Sequence, residues 1–139
     1  MARALNYLHL MRPDPLIHRD ISSANVLLQP LPHGHWRAKV SDYGTVNLQR
    51  NLSTENPGNA CYSAPEAGDP TQQSPKMDVF SFGVLLLEML MGKFPDMDKR
   101  VSHLRSIVQE PLLPLVQSCL ERRKEDRPTA ARIITQLDQ

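Results

Sequence analysis

Three oxygen-bearing side chains, Asp20, Asn25 and Asp42, stand on loop edges around two short stretches of strand character. The first stretch is Asn25-Val26-Leu27-Leu28. The second, Trp36-Arg37-Ala38-Lys39-Val40, alternates apolar and basic residues with the period of a half-buried strand, and Pro30–His35 joins the two. A hairpin return would bring Asp42 back beside Asn25. Asp with Asn is hard-oxygen coordination, and a magnesium ion held by one or two protein groups completes its shell with phosphates and water. A further carboxylate nearby, Asp20, is a candidate to accept a proton from an attacking hydroxyl. These residues point to metal-assisted phosphoryl transfer, and loop capping by Asx turns is the plainer alternative.

Positioning such groups needs a core, and the chain has the means to build one. Its 139 residues are 40% hydrophobic and 22% charged, within the range of a single globular domain. A net charge of +1 provides no field to recruit nucleic acid or anionic membrane. Cys61 and Cys119 stand far apart, which argues against a disulfide framework and suits a reducing compartment. Cys61 with His33, His35 and His103 shows no metal-ligand spacing. The most apolar run, Val79 to Met91, is too short to span a membrane and contains Glu88.

Residues 1–11 carry Leu5, Leu8 and Met11 on one helical face, and the run Arg12-Pro13-Asp14-Pro15 stops that helix. Beginning inside a helical pattern is unusual for a complete domain. From Asp42 to about Ser74 no periodicity is sustained, as in a long functional loop. Ser74-Pro75 opens a helix through Met91, closed by Gly92. It is apolar nearly all round, so it belongs at the centre of the core, with Met89 and Met91 as packing residues. Further helices are expected over about 98–109, from Pro111, and after the cap Thr129. Arg122-Arg123-Lys124 reads as a solvated face.

Order sharpens the chemical reading. His18-Arg19-Asp20 with Asn25, then Asp42-Tyr43-Gly44, then Ala64-Pro65-Glu66 resembles the ordered signature of the protein kinases. Tyr7-Leu8-His9 through Leu28 resembles the kinase catalytic loop with its preceding helix, Asp78 to Gly83 the start of the central helix, and Glu121 to Thr129 the segment carrying a late Arg. The resemblance covers essentially the whole chain and is to the C-terminal lobe in the tyrosine-kinase-like group. It implies a mainly α fold with a short β-hairpin next to the catalytic loop. Residues 1–139 would form that lobe alone, with catalytic loop 18–25, activation segment 42–66 and central helix about 75–91.

The resemblance also implies roles. Asp20 would be the catalytic base, with Asn25 and Asp42 holding Mg2+ on the phosphates of ATP and Leu27 beneath the adenine. Arg19 would meet a phosphorylated residue of the activation loop, for which Ser53 and Thr54 are candidates. Glu66 would pair with Arg127, and Asp78 would tie the central helix to the catalytic-loop backbone. His18 and Tyr43 would be packing residues of the regulatory spine. A protein substrate and a cytoplasmic address follow, including the intracellular part of a receptor.

Some positions depart from the family pattern. Tyr43 replaces a Phe, Ser22 stands where many serine/threonine kinases have a Lys, and Asn59 where they have a Thr. Tyr62, two residues before Ala64, fits the serine/threonine pattern better than the tyrosine one. No pair of glycines forms GxGxxG, and Lys39, Lys76, Lys93, Lys99 and Lys124 all follow the His-Arg-Asp triplet. The N-terminal lobe's phosphate cover and gripping Lys are therefore not encoded here. With one wall of the cleft, the chain alone is expected to show no measurable transfer. Apolar surface around Leu16, Leu27, Leu28 and Tyr43 should be exposed and favour self-association. The alternative is a non-catalytic, pseudokinase-like module that binds protein partners.

Overall fold

A computed structural model describes residues 1–42, 47–48, 59–107 and 111–139. The fold is mainly helical and is organised around one helix. This helix, α2 (Lys76–Met91), is buried continuously from Met77 to Leu87. A helix with no polar face can persist only where other elements enclose it. Its ends are set locally. Ser74 Oγ accepts from the Lys76 N–H at 3.3 Å, and Gly92, at φ 60°, donates its N–H to the Glu88 carbonyl at 2.8 Å.

α1 (Ala2–His9) buries Ala2, Leu5 and Leu8 and packs against α5 (Ala130–Leu137), which buries Ala130 and Ile133. Thr129 caps α5 by accepting from the Arg132 N–H at 3.2 Å. α3 (Arg100–Ser106) is shorter than the expected 98–109, and residues 108–110 lie outside the described set. α4 (Leu113–Cys119) begins two residues after Pro111 and lies against α2. The approach is close at Gly83, where an added Cβ would stand 2.6 Å from that of Cys119.

Two small antiparallel sheets complete the described residues. β2 (Val26–Pro30) and β3 (Trp36–Val40) form the hairpin, in register from Val26 opposite Val40 to Pro30 opposite Trp36. β1 (Leu16–Ile17) pairs with β4 (Asn47–Leu48), a contact that two-residue strands are too short to announce by periodicity. Among the described residues no helix is long and apolar enough to cross a membrane.

Two burial expectations need correction. The alternation in β3 does not become a half-buried pattern: only Val40 is buried, and Trp36 is 64% exposed. Alternating side chains sort into inside and outside only where a layer covers one face, and Val40 alone reaches the core. Met89 is 69% exposed rather than packed, because α2 leaves the core after Leu87, while Met91 does pack against the core's edge. Leu27 and Leu28 are exposed and Leu16 is half-buried.

Candidate active site

The loop from His18 to Asn25 is held from below by α2. Asp78, buried in the first turn of α2, accepts from two consecutive backbone N–H groups. His18 N donates to Oδ2 and Arg19 N to Oδ1, each at 2.9 Å. This double bond supports an unfavourable backbone, since Arg19 sits at φ 73°, a region non-glycine residues rarely adopt. Oδ2 also lies 2.8 Å from His9 Nε2, so the end of α1 is tied to the same carboxylate. Burial pulls the Arg19 guanidinium below its ordinary value, and the Asp78 charge opposes that shift.

His18 is fully buried and stitches the loop to the strand beyond it. Its Nδ1 accepts from the Asp20 N–H at 3.3 Å, which leaves Nε2 as the protonated nitrogen facing the Ser41 carbonyl at 3.1 Å. The chain then turns so that Asp20 and Asn25 meet. Asn25 Nδ2 donates to the Asp20 carbonyl at 2.8 Å and to Asp20 Oδ2 at 2.9 Å. Both neighbours are acceptors, so the amide orientation is determined and Oδ1 faces away from Asp20. The other carboxylate oxygen, Oδ1 of Asp20, accepts from the Asn59 backbone N–H at 3.0 Å. Asn59 is thus held by its main chain, and its side chain accepts instead from the Cys61 N–H. Ser22, within the loop, is buried.

The hairpin brings the third residue back. Beyond the Val26–Val40 pair, Ser41 N donates to the Asn25 carbonyl at 2.9 Å, and Ser41 Oγ bonds the same oxygen at 3.1 Å. Asp42 is the next residue, exposed and in the left-handed region at φ 59°. Asp20, Asn25 and Asp42 therefore gather at the open end of one hairpin. Leu27, one pair further along, is 56% exposed. Tyr43, Ser53 and Thr54 lie outside the described residues.

Glu66 and Arg127 form a bidentate pair, Nη1 to Oε1 at 2.6 Å and Nη2 to Oε2 at 2.9 Å. The remaining Arg127 donors go to the carbonyls of Glu121, Lys76 and Arg122, so all five N–H groups are used. The guanidinium carbon also lies 4.9 Å from the centre of the Phe80 ring.

Sequence reasoning missed a second polar cluster beside the loop. Tyr62 Oη donates to Glu88 Oε2 at 2.5 Å, Ser23 Oγ donates to Glu88 Oε1 at 3.0 Å, and the two hydroxyls stand 3.0 Å apart. Burial first, then the bond to Glu88, pushes the Tyr62 phenol above its ordinary value and keeps it a donor. Glu88, a lone carboxylate inside an apolar run, was the available signal. His9 was missed as well. It lies in the last turn of an amphipathic helix, where no pattern singles out one polar residue.

The chain resembles proteins of established kind. The family model for the protein kinase domain matches residues 1–137. A probable leucine-rich repeat receptor-like protein kinase of Arabidopsis thaliana is 36% identical, over 97% of this chain and 14% of that protein. The seven transmembrane domain-containing tyrosine-protein kinase 1 of Dictyostelium discoideum is 32% identical, over 99% and 22%. Mitogen-activated protein kinase kinase kinase 7 of Drosophila melanogaster is 36% identical, over 93% and 19%. The chain thus spans between 14% and 22% of the length of these relatives.

Proposed function

The chain belongs to the protein kinase family, and from that premise we propose that it supplies the catalytic wall of a protein kinase, the C-terminal lobe, spanning residues 1–139. In this reading 18–25 is the catalytic loop, 42–66 the activation segment and α2 the central helix. The activity is transfer of the γ-phosphate of ATP to a protein hydroxyl. The observation that carries it is the engagement of Asp20 by both N–H groups of Asn25, at the mouth of a hairpin that returns Asp42 to the same end.

Each residue has a task. Asp20 orients the substrate hydroxyl and accepts its proton, and the Asn59 N–H and Asn25 Nδ2 hold the carboxylate in place for it. The donor set fits a magnesium ion: the amide oxygen of Asn25 and the carboxylate of Asp42 are hard oxygens on adjoining strand ends. When bound, Mg2+ with ATP supplies the transferable phosphoryl group and neutralises its charge. Leu27 offers apolar surface to the adenine. Arg19 answers a phosphorylated Ser53 or Thr54. Glu66 with Arg127, and Asp78 with the His18 and Arg19 amides, keep the two loops in register, while His18 packs beneath them.

A serine or threonine acceptor suits Tyr62 better than a tyrosine acceptor does. Leu27, Leu28 and Trp36, exposed on the hairpin, offer a seat for an N-terminal lobe, and a cytoplasmic location accords with two free cysteines. Catalysis of this kind is positioning plus electrostatic stabilisation, so one wall alone transfers no measurable phosphate. The same exposed apolar residues serve a second reading, a non-catalytic module that binds a protein partner.

Melting of the purified chain with millimolar Mg2+–ATP separates these readings. At about tenfold excess over Kd the expected rise is about 3–5 °C, abolished by Asp42→Ala. No rise, or one that Asp42→Ala leaves intact, rejects the catalytic-wall reading.

A further inference from the structure

The outer half of the hairpin carries an apolar face that none of the described residues covers. Residues directly opposite in an antiparallel pair share a face, so Val26 with Val40, Leu28 with Ala38 and Pro30 with Trp36 form one apolar row. The row starts in the core, where Val40 is buried and Val26 packs at the edge. It then runs out into solvent, with Leu28 63% and Trp36 64% exposed. β3 alternates apolar and basic residues as a strand with one covered face does. Its sequence therefore fits a layer that the described residues do not supply. A contiguous exposed apolar row, unlike scattered apolar residues, marks an interaction surface.

The row borders a groove. Ala38, at its middle, lines a recess of about 410 Å3 between the start of α1 and the end of α5, with Met1, Ala4, Ile134 and Leu137 as apolar walls. A recess of that size receives small organic bodies, and an indole is one. Charges of both signs stand at the groove. Arg37 lines it and has no carboxylate within ion-pair distance among the described residues. Asp138 lines it too, held by Arg3 in an exposed pair at 2.9 Å. Trp36 projects only two residues from Ala38, about 7 Å along the strand. Projection and recess, cation and anion thus share one side of the molecule. A surface that holds both halves of a contact is self-complementary, as a two-fold dimer requires.

We propose that this face is an interface for a second copy of the chain. Related by a two-fold axis, each copy sets Trp36 into the other's groove between α1 and α5, and Arg37 of each reaches Asp138 of the other. The second copy supplies the layer that the alternation of β3 calls for. An apolar partner of another kind would fill the groove and leave Arg37 unpaired, whereas a copy brings an indole for the groove and a carboxylate for Arg37. Leu27 lies on the opposite face of the hairpin, paired with Lys39, and stays clear of the interface. In the catalytic-wall reading an N-terminal lobe competes for Leu28 and Trp36, so the dimer belongs to this chain without that lobe.

Trp36 is the chain's one tryptophan, so its emission reports the contact directly. The test is sedimentation velocity with emission spectra on the purified chain, from low to high micromolar concentration. A single monomer-to-dimer transition is expected, with the emission maximum moving to shorter wavelength along the same curve. Ala38→Glu puts a charge on the groove wall and leaves Trp36 in place, so the chain should stay monomeric and its emission at long wavelength. Trp36→Gln should also abolish the dimer. Arg37→Glu should weaken it about tenfold, and adding Asp138→Lys should restore it. All three hairpin positions are exposed, and circular dichroism reports whether each variant keeps its fold. A monomer throughout, assembly beyond a dimer, a dimer whose Trp36 emission does not move, or one that survives Ala38→Glu or Trp36→Gln overturns the proposal. None of these results bears on the catalytic-wall reading, which the Mg2+–ATP melting shift tests separately.

Discussion

Asn25 spends both of its side-chain N–H groups on Asp20, one on the main-chain oxygen and one on the carboxylate. That arrangement aims the Asn25 amide oxygen away from Asp20 and fixes the carboxylate at the same time. Asn25→Asp places two carboxylates face to face, and no donor remains for either Asp20 acceptor. The expected loss is about 1–3 kcal/mol of stability in urea unfolding, together with the Mg2+–ATP melting shift. A variant that keeps full stability and the shift would show that the pair has no positioning role.

The Glu66–Arg127 bridge should behave as a buried pair. Arg127 is fully enclosed and among the described residues its charge has one carboxylate partner, so Glu66→Ala leaves a cation in the core. The expected cost is about 3–5 kcal/mol. Arg127→Lys should be nearly as damaging, because an ammonium cannot serve the five directions that the guanidinium reaches. Denaturant unfolding of the two single variants and the double variant gives the coupling. A double variant whose loss equals the sum of the singles would contradict a direct interaction.

Asp78 supports the Arg19 backbone, and its removal should loosen the loop more than the helix. Asp78→Ala strands the His18 and Arg19 N–H groups and frees a residue held at positive φ. About 3 kcal/mol of stability should be lost. Hydrogen exchange should rise first at residues 18–25 and only later in α2. Uniform loss of protection across α2 would place the effect in the core instead.

Alkaline pH offers a separate check. Burial pushes the Cys119 thiol from 9.0 up to about 12, and the Tyr62 phenol is also raised. Both folded groups hold their protons more tightly than the unfolded chain does. Their stabilisation is therefore complete below the unfolded values and is lost as pH climbs through the folded ones. Unfolding free energy should fall from about pH 9 towards 12, and Cys119→Ala should flatten part of that slope. In native protein at pH 8 a thiol reagent should modify half-buried Cys61 and spare Cys119 until denaturant is added. Equal native rates would contradict the burial of Cys119.

Helix α2 and the hairpin were legible because local signals agreed with packing: Ser74 and Gly92 bound an all-round apolar run, and two strand-like stretches flank a short polar connection. The position of Asp42 beside Asn25 followed from the hairpin return alone. Pairing of Glu66 with Arg127 followed only from family resemblance, since no periodicity links residues so far apart in the chain. The β1–β4 contact escaped because two-residue strands carry no period. Trp36 and Met89 misled because apolar character records only what a residue can pack against, and burial depends on the neighbouring layer. The Ser23–Tyr62–Glu88 cluster depends on three-dimensional juxtaposition, which composition and spacing do not encode.

In the proposed function Asn25 and Asp42 share one divalent cation beside Asp20. Substituting Mn2+ for Mg2+ in the presence of ATP and recording nitrogen–proton spectra tests it most directly, because a paramagnetic ion broadens only nearby signals. The expected result is selective broadening of the Asn25 side-chain amide and the Asp20 and Asp42 backbone amides, lost in Asp42→Asn. Broadening confined to other residues, or unchanged by that substitution, would contradict the account.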